Sequence, residues 1–227
     1  MLTDAARMRR VSILLILLLA ASPAWSGAWL RDKGAAFVST AVTAFKEPDY
    51  GYDYKGSFYA EYGLREKLTL GLDVEEHRDI YGHALMFARL PVAEFEKAGR
   101  FAAEIAIGAH HRQMRAWALY KATLSYGKGF QTGWGNGWIA IDAALEFRTH
   151  DAVYRKLDLT AGLSSPRLIN PLLQIETAYQ GDQPLHWRIK PSIMIRTKDS
   201  PTTWVLGLER NDARKNTGIR LAIWNTF

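Results

Sequence analysis

The feature of the sequence that most restricts its fold is a repeated alternation of apolar and polar residues. Residues 138–148 show it clearly, because Ile139 and Ile141 alternate with Asp142 and the same pattern continues to Glu146. A strand places successive side chains on opposite faces, whereas a helix with about 3.6 residues per turn would scatter these residues around its axis. The segment therefore predicts a strand with one apolar face and one charged face.

The same alternation recurs through the rest of the chain and predicts an all-β protein of twelve antiparallel strands, with ten as the alternative count. The clearest predicted hairpin joins residues 54–65 to residues 68–75. The faces of residues 83–90 are less distinct. Two connections, at 91–99 and 128–136, are predicted to be longer than the others. An even count of antiparallel strands places the start of the first strand and the end of the last on the same side of the sheet.

The N-terminus has the features of a secretory signal peptide. A region with three arginines precedes an apolar run at residues 11–21, and small residues with the spacing of a cleavage site end at Ser26. The apolar run is about half of the ~20 residues that a membrane-spanning helix needs. We therefore predict cleavage of residues 1–26, export through the Sec pathway and a mature chain of one domain, residues 27–227.

Composition narrows the class of protein further. The chain has no cysteine and a formal net charge of +6, and the signal peptide, with three Arg and one Asp, accounts for +2 of that charge. Disulfides and thiolate metal sites are therefore excluded, and the remaining charge is too small to indicate nucleic-acid binding. After residue 26 there is no run of about 18 apolar residues. A chain that crosses lipid without such runs must close into a barrel, because lipid offers no partner for unpaired backbone groups.

A soluble periplasmic β-protein shows the same alternation, and the end of the chain separates the two alternatives. In residues 217–227 every second residue from Ile219 is apolar except Asn225, and the last residue is Phe227. This strand resembles the C-terminal strand of Gram-negative outer-membrane β-barrels, and the hairpin at 61–73 is similar to hairpins of porin-like outer-membrane proteins. The resemblance implies a transmembrane barrel in the outer membrane, surrounded by lipid and lipopolysaccharide, with Phe227 as a signal for the barrel-assembly machinery.

In such a barrel the apolar faces meet lipid and the charged faces line the lumen, because a charge near the bilayer midplane costs about 2–4 kcal/mol. Aromatic residues near the strand ends fit the girdles of a membrane barrel. The predicted lumen charges are Lys55, Glu61, Asp73, Glu104, Lys121, Asp142, Glu146, Arg148, Lys156, Asp158, Glu176, Arg188, Lys190, Arg196, Glu209 and Arg220.

The balance of acids and bases in this set leaves two functions open. Arg188, Lys190 and Arg196 project from one predicted strand, and a stripe of positive charge can make a narrow channel selective for small or anionic solutes. Glu176 and Glu209 lie on the neighbouring strands and can neutralise it, which favours a filled, non-conducting structural barrel.

A lipid- or peptide-modifying outer-membrane enzyme is the second alternative. The sequence has neither the His-x-Ser pairing that the resemblance to phospholipase and deacylase barrels would require nor a G-x-S-x-G element. His110 and His111 would point to opposite faces of a strand, which is poor geometry for one metal ion. We therefore predict a protein without catalytic, metal or cofactor residues, whose remaining partner is a small-molecule solute.

Overall fold

The computed structural model describes residues 27–47, 51–78, 80–113, 115–149, 151–197, 200–214 and 216–227. The predicted signal peptide, residues 1–26, lies outside the described residues. The strands are β1 (Ala36–Glu47), β2 (Gly51–Arg65), β3 (Leu68–His77), β4 (Tyr81–Phe95), β5 (Gly99–Arg112), β6 (Arg115–Thr132), β7 (Gly135–Arg148), β8 (Tyr154–Ser164), β9 (Ile169–Gln180), β10 (His186–Arg196), β11 (Thr202–Asn211) and β12 (Gly218–Thr226).

These twelve strands form a closed antiparallel barrel, in which each strand pairs with its neighbours in the chain and β1 pairs with β12. Ala41 faces Ala222 at the centre of that closing pair. The N–H groups of Ala36 and Phe227 each donate to the other residue's carbonyl, at 3.0 and 2.9 Å. The prediction of twelve strands is confirmed. The start of β1 and the end of β12 lie at the same end of the barrel. We call this end the periplasmic end, as in single-chain bacterial barrels, and the opposite end the extracellular end.

The exposed fractions of neighbouring residues show which face points outward. Ile105 is 70% exposed and Ile107 58%, whereas Glu104 is only 6% exposed. The outward apolar face continues around the barrel and includes aromatic side chains near strand ends, such as Tyr62 and Trp204. Apolar residues therefore cover the outside of the closed sheet, as the alternation predicts.

In the part of the chain that is described, no helix has the length and apolar character needed to cross a membrane.

The prediction of two long connections, at 91–99 and 128–136, is wrong, because most of these residues belong to strands. β4 continues through Pro91 to Phe95, and its pairing with β5 shifts register between Pro91 and Ala93. Proline lacks a backbone N–H and is accommodated at such irregularities. In the second case β6 and β7 are joined by a turn at residues 133–134, and the residues on either side of it pair as strands.

The structure also shows which side chains of β4 point into the lumen and which point outward, a distinction that the sequence pattern does not make clear. Leu85 and Phe87 are 2% and 4% exposed and point into the lumen, while Met86 is 66% exposed on the outside. Arg89 lies on the same inward face as Leu85 and Phe87 and is 3% exposed. β4 therefore contributes both apolar and charged groups to the interior.

Candidate functional site in the barrel lumen

The lumen is blocked near its periplasmic end by residues 27–32, which precede β1 and which we call the inner segment. A turn reverses the chain before β1, and the Gly34 N–H donates to the Gly63 carbonyl at 2.8 Å. The turn directs the inner segment into the barrel, where Ala28 is 1%, Trp29 6% and Arg31 8% exposed. The inner segment is therefore joined covalently to the barrel wall through this turn and β1.

Trp29 is the largest side chain of the inner segment, and it occupies space that a glycine leaves free. A Cβ at Gly127 would lie 2.5 Å from the Trp29 ring, so only glycine at this position of β6 admits the indole. The guanidinium of Arg100 lies 5.9 Å from the centre of the same ring. Trp29 is thus held between a backbone surface and a cation.

An apolar cluster surrounds the inner segment and spans the lumen. Phe37 on β1 and Trp138 on β7 both belong to it, although these strands lie six steps apart in the ring of twelve, on opposite sides. A cavity at this level, lined by residues that include Asn170 and Arg196, has a volume of about 30 Å³, which is room for roughly one or two water molecules. The cluster comprises Ala28, Trp29, Phe37, Ala41, Trp138, Ala140, Leu172, Met194, Val205, Ala222 and Trp224.

Arg31 attaches the inner segment to the charged wall. Its Nε lies 2.5 Å from Oε2 of Glu61, and its backbone N–H donates to Oγ1 of Thr69 at 2.9 Å. Glu61 also accepts a bond of 2.5 Å from Arg89, which in turn donates to Glu104 at 2.7 Å. Buried charge-assisted bonds of this kind are strong, and removal of one partner leaves the others unpaired.

Above the inner segment, a second charge network crosses the lumen. The Nζ of Lys55 lies 2.6 Å from Oε1 of Glu209. Arg188 contacts Glu209 at 3.2 Å, Glu176 at 2.9 Å and Glu75 at 3.5 Å. Glu75 is on β3 and Arg188 on β10, five steps apart in the ring of twelve. At this level two long side chains, Arg188 and Glu75, are enough to span the lumen.

Beside this network, charged side chains retain access to solvent. The exposed side-chain fractions are 28% for Asp73, 28% for Lys156 and 26% for Arg148. Asp73 lies 3.6 Å from Lys121, and Glu146 contacts both Arg148 and Lys156, at 2.8 and 3.1 Å. We call this polar extracellular half of the lumen the vestibule.

Arg214, from the connection between β11 and β12, lies across the rim of the vestibule. Its guanidinium contacts Glu47 at 2.6 Å and Asp53 at 2.5 Å, and it stacks on Phe45 at 4.3 Å. His77 Nε2 lies 2.8 Å from the same Asp53 carboxylate. Burial alone lowers the pKa of Arg214, but the two carboxylates raise it above its usual value, so the guanidinium remains charged.

All sixteen predicted lumen charges lie on inward-facing positions of the strands. The predicted stripe of Arg188, Lys190 and Arg196 is present, but its charges are engaged. Glu176 contacts both Arg188 and Lys190, and Arg196 donates to Thr203 at 3.0 Å. Arg188 and Lys190 are therefore neutralised by a carboxylate, whereas the described partner of Arg196 is a neutral hydroxyl.

Arg220 on β12 differs from the other bases of the predicted set. It is 8% exposed, and its Nη1 has no hydrogen-bond partner among the described residues. Its register partners on the neighbouring strands are Thr43 and Gly207, neither of which carries a charge. One donor of a buried guanidinium is therefore directed into the lumen without an acceptor from the described chain.

Several interior residues are absent from the predicted set. Arg89 and Glu75 follow the alternation of their strands, so the pattern could have identified them once the faces of β4 and the end of β3 were assigned. Arg31 and Arg214 lie outside the strands. No periodic signal places them in the lumen, because only the turn at Gly34 and the loop after β11 bring them there.

The described histidines form separate pairs and no cluster. His110 points inward and stacks on Trp117 at 5.5 Å, while His111 Nε2 lies 2.7 Å from Glu76. Across the described residues, no group of three His, Asp or Glu side chains is arranged to hold a metal ion.

Comparison with solved structures relates the fold to known barrels. The chain is similar to the KdgM porin in complex with disordered oligogalacturonate (TM-score 0.60, 9% identity, 84% of this chain and 99% of that chain). It is also similar to the COG4313 outer membrane channel from Pseudomonas putida F1 (TM-score 0.58, 10% identity, 91% and 100%). LpxR from Salmonella typhimurium matches with a TM-score of 0.52, 8% identity and coverage of 86% and 100%.

No protein-family model and no curated protein matches the sequence. The structural similarities nevertheless extend over almost the whole length of each neighbour. The chain has the fold of a twelve-stranded outer-membrane β-barrel.

Proposed function

We propose that this protein resides in the outer membrane as a narrow channel for small solutes, with the inner segment as a movable plug. One observation carries the proposal: the lumen is closed by a segment that is not a strand, beneath a vestibule of solvent-accessible charges. A barrel filled only for stability has no need for accessible charges above its apolar core. A plug attached at one end can leave without breaking a strand pair.

The vestibule favours small anions among the solutes. Lys55, Arg188 and Lys190 line it, but each of them contacts a carboxylate. Arg220 is the exception, because its Nη1 has no partner in the described chain. A passing anion would supply that partner, since buried guanidinium groups bind carboxylate and phosphate oxygens well. The similar KdgM porin forms a complex with disordered oligogalacturonate, a saccharide that carries carboxylates.

Recordings in planar bilayers test the channel. The refolded barrel should give small discrete conductance steps, and Trp29→Ala should enlarge them because it removes the side chain that fills the space beside Gly127. Trp134→Ala is the matched control, since Trp134 is 68% exposed and lies in the turn between β6 and β7. Silent bilayers from wild type and Trp29→Ala, with a barrel that is still folded by heat-modifiability, would contradict the proposal and favour a structural barrel.

A lipid- or peptide-modifying enzyme is the remaining alternative. His77, His111 and His186 each contact a carboxylate at 2.7 to 2.9 Å, and among the described residues no serine bonds to any of them. Such pairs also occur as simple surface or rim contacts. Incubation with labelled phospholipid or lipid A, followed by mass analysis, would reveal product only if the enzyme alternative is correct.

A further inference from the structure

Asp142 on β7 is a luminal carboxylate that no cation of the described residues contacts as an ion pair. Its Oδ1 is buried and has no hydrogen-bond partner in the described part of the chain, and no ion pair described there includes it. Its register partner on β6 is Ser125, whose neutral hydroxyl hydrogen-bonds to the carboxylate. Its register partner on β8 is Asp158, which pairs in turn with Glu176. Three carboxylates thus stand on adjacent strands. An ionised carboxylate in such a place is costly unless a positive charge is near.

The other two acids of this row, Glu176 and Asp158, each have a described partner. Glu176 contacts both Lys190 and Arg188. Asp158 accepts a bond of 3.2 Å from the Thr177 N–H. The partners that these two acids use come from β9 and β10, on the side of the row away from Asp142.

The base on the other side of the row is also engaged. Lys121 lies on β6, next to β7, and its Nζ is 3.6 Å from both Asp73 and Glu104. Its ammonium group therefore contacts acids of β3 and β5, and Lys121, like Arg89, acts on Asp142 only through a longer-range charge interaction. No ion pair in the described part of the chain includes Asp142 or Asp158, but Asp158 accepts the Thr177 N–H, whereas Asp142 has a buried oxygen without a hydrogen-bond partner.

Gly27, the first described residue of the inner segment, lies against that carboxylate. A Cβ on Gly27 would be 2.8 Å from Oδ1 and 3.2 Å from Oδ2 of Asp142. Gly27 is buried and has a φ of +79°, a conformation that favours glycine. The α-nitrogen of Gly27 is bonded to the same Cα from which that Cβ would project, so a proton on this nitrogen would add a positive charge near Asp142.

The predicted cleavage site lies at this same residue. Hydrolysis of the Ser26–Gly27 peptide bond by a signal peptidase gives Ser26 a carboxylate and Gly27 an amine, which takes up a proton at neutral pH. We propose that the α-ammonium group of Gly27, created by signal-peptide cleavage, is the counter-ion of Asp142 and fastens the inner segment in the lumen. In the unprocessed chain the same nitrogen is a neutral amide, so the plug is held by this ion pair only after processing.

Mass analysis and chemical labelling test the proposal on barrel purified from outer membranes after natural export. The intact mass should correspond to a chain that begins at Gly27. Amine reagents attack the neutral form, so at about pH 7 the α-amine of wild type, followed in the N-terminal peptide, should react at least tenfold more slowly than that of Asp142→Asn. Asp158→Asn is the matched control and should react like wild type. Equal rates in wild type and Asp142→Asn, or a different N-terminal residue, would overturn the ion pair.

A second measurement separates charge from burial. Wild type and Asp142→Asn are each prepared with a free Gly27 α-amine and with an amine that is selectively acetylated, and all four barrels are refolded and then unfolded in urea. Acetylation should lower the unfolding midpoint of wild type and leave that of Asp142→Asn unchanged, because only wild type has a carboxylate to lose its partner. An equal shift in both proteins would overturn the proposal. Neither measurement depends on whether the barrel conducts.

Discussion

Arg188 on β10 lies 3.5 Å from Glu75 on β3, so an ion pair joins strands on nearly opposite sides of the barrel. Arg188 also contacts Glu176 and Glu209, and these carboxylates neutralise Arg188 and Lys190 in the basic stripe of β10. The charge selectivity of the lumen therefore depends on pairs of residues and not on the number of bases alone.

Removing the two carboxylates should make the channel more selective for anions. In Glu176→Gln with Glu209→Gln, Arg188, Lys190 and Lys55 lose their nearest carboxylates and only Glu75 remains beside Arg188 and Lys55. The excess positive charge should attract anions into the vestibule. Arg188→Glu with Lys190→Glu should shift the preference toward cations. Reversal potentials in a salt gradient measure both shifts. Unchanged reversal potentials in both double variants would remove these residues from the conduction path.

Loss of the Arg31–Glu61 contact should loosen the inner segment. Arg31→Ala removes a buried charged bond but leaves Glu61 with Arg89, so we expect a loss of about 1–3 kcal/mol in stability and larger conductance steps. Lys33→Ala is the control, because Lys33 is exposed at the turn before β1. Bilayer recording and urea unfolding report the two effects. Identical conductance in both variants would show that Arg31 does not hold the plug.

Filling the space beside Trp29 should also displace the plug. In Gly127→Val the new side chain would overlap the indole, since even a Cβ comes within 2.5 Å of it. Overpacking of this kind costs about 1–3 kcal/mol, and the displaced ring should increase conductance. Gly133→Val is the matched control, because a Cβ at Gly133 meets nothing within 4 Å. A Gly127→Val barrel with wild-type conductance and stability would contradict the described position of Trp29.

The loop contact between His186 and Asp212, at 2.9 Å, should make a small pH-dependent contribution to stability. Burial by itself raises the pKa of Asp212, but bonds from the Trp187 N–H and from His186 hold it below its usual value. A carboxyl with a lowered pKa in the folded state stabilises the protein above its unfolded pKa of about 3.9, and this contribution disappears as the pH falls through the folded value.

Asp212→Asn should therefore lower the urea midpoint at neutral pH and match wild type in strong acid. The difference should stay below about 1 kcal/mol, because the pair is exposed to solvent. Asp182→Asn, in the neighbouring loop, is the matched control, because it leaves the contact between His186 and Asp212 in place. If the difference in stability between wild type and Asp212→Asn became larger as the pH falls, the result would contradict the proposed contribution of this contact.

The stability cost of a charged residue on the outer face should depend on its depth in the bilayer. Ile105→Arg places a cation at the middle of β5 on the outward face and should cost about 2–4 kcal/mol in a lipid bilayer, whereas Leu64→Arg, near the periplasmic end of β2, should cost about 0–1 kcal/mol. Unfolding in vesicles measures both. Equal costs would argue against a membrane around the barrel.

Much of the architecture is predictable from the sequence alone. The twofold periodicity separates an apolar face from a charged face in nearly every strand, and it places Glu61, Asp142 and Arg188 in the lumen without knowledge of their partners. β4 is the exception, because Leu85 and Phe87 share the inward face with Arg89 and pack in an apolar cluster inside the barrel.

Which residues share a face follows from the sequence, because that depends only on the local geometry of a strand. Which of these residues meet was decided by the closed barrel, whose curvature brings Glu75 to Arg188 across the lumen although the sequence separates them widely. The position of the inner segment in the lumen likewise depends on contacts within the folded barrel. No periodicity marks Trp29 or Arg31, and their positions follow from one turn at Gly34 and from the space beside Gly127.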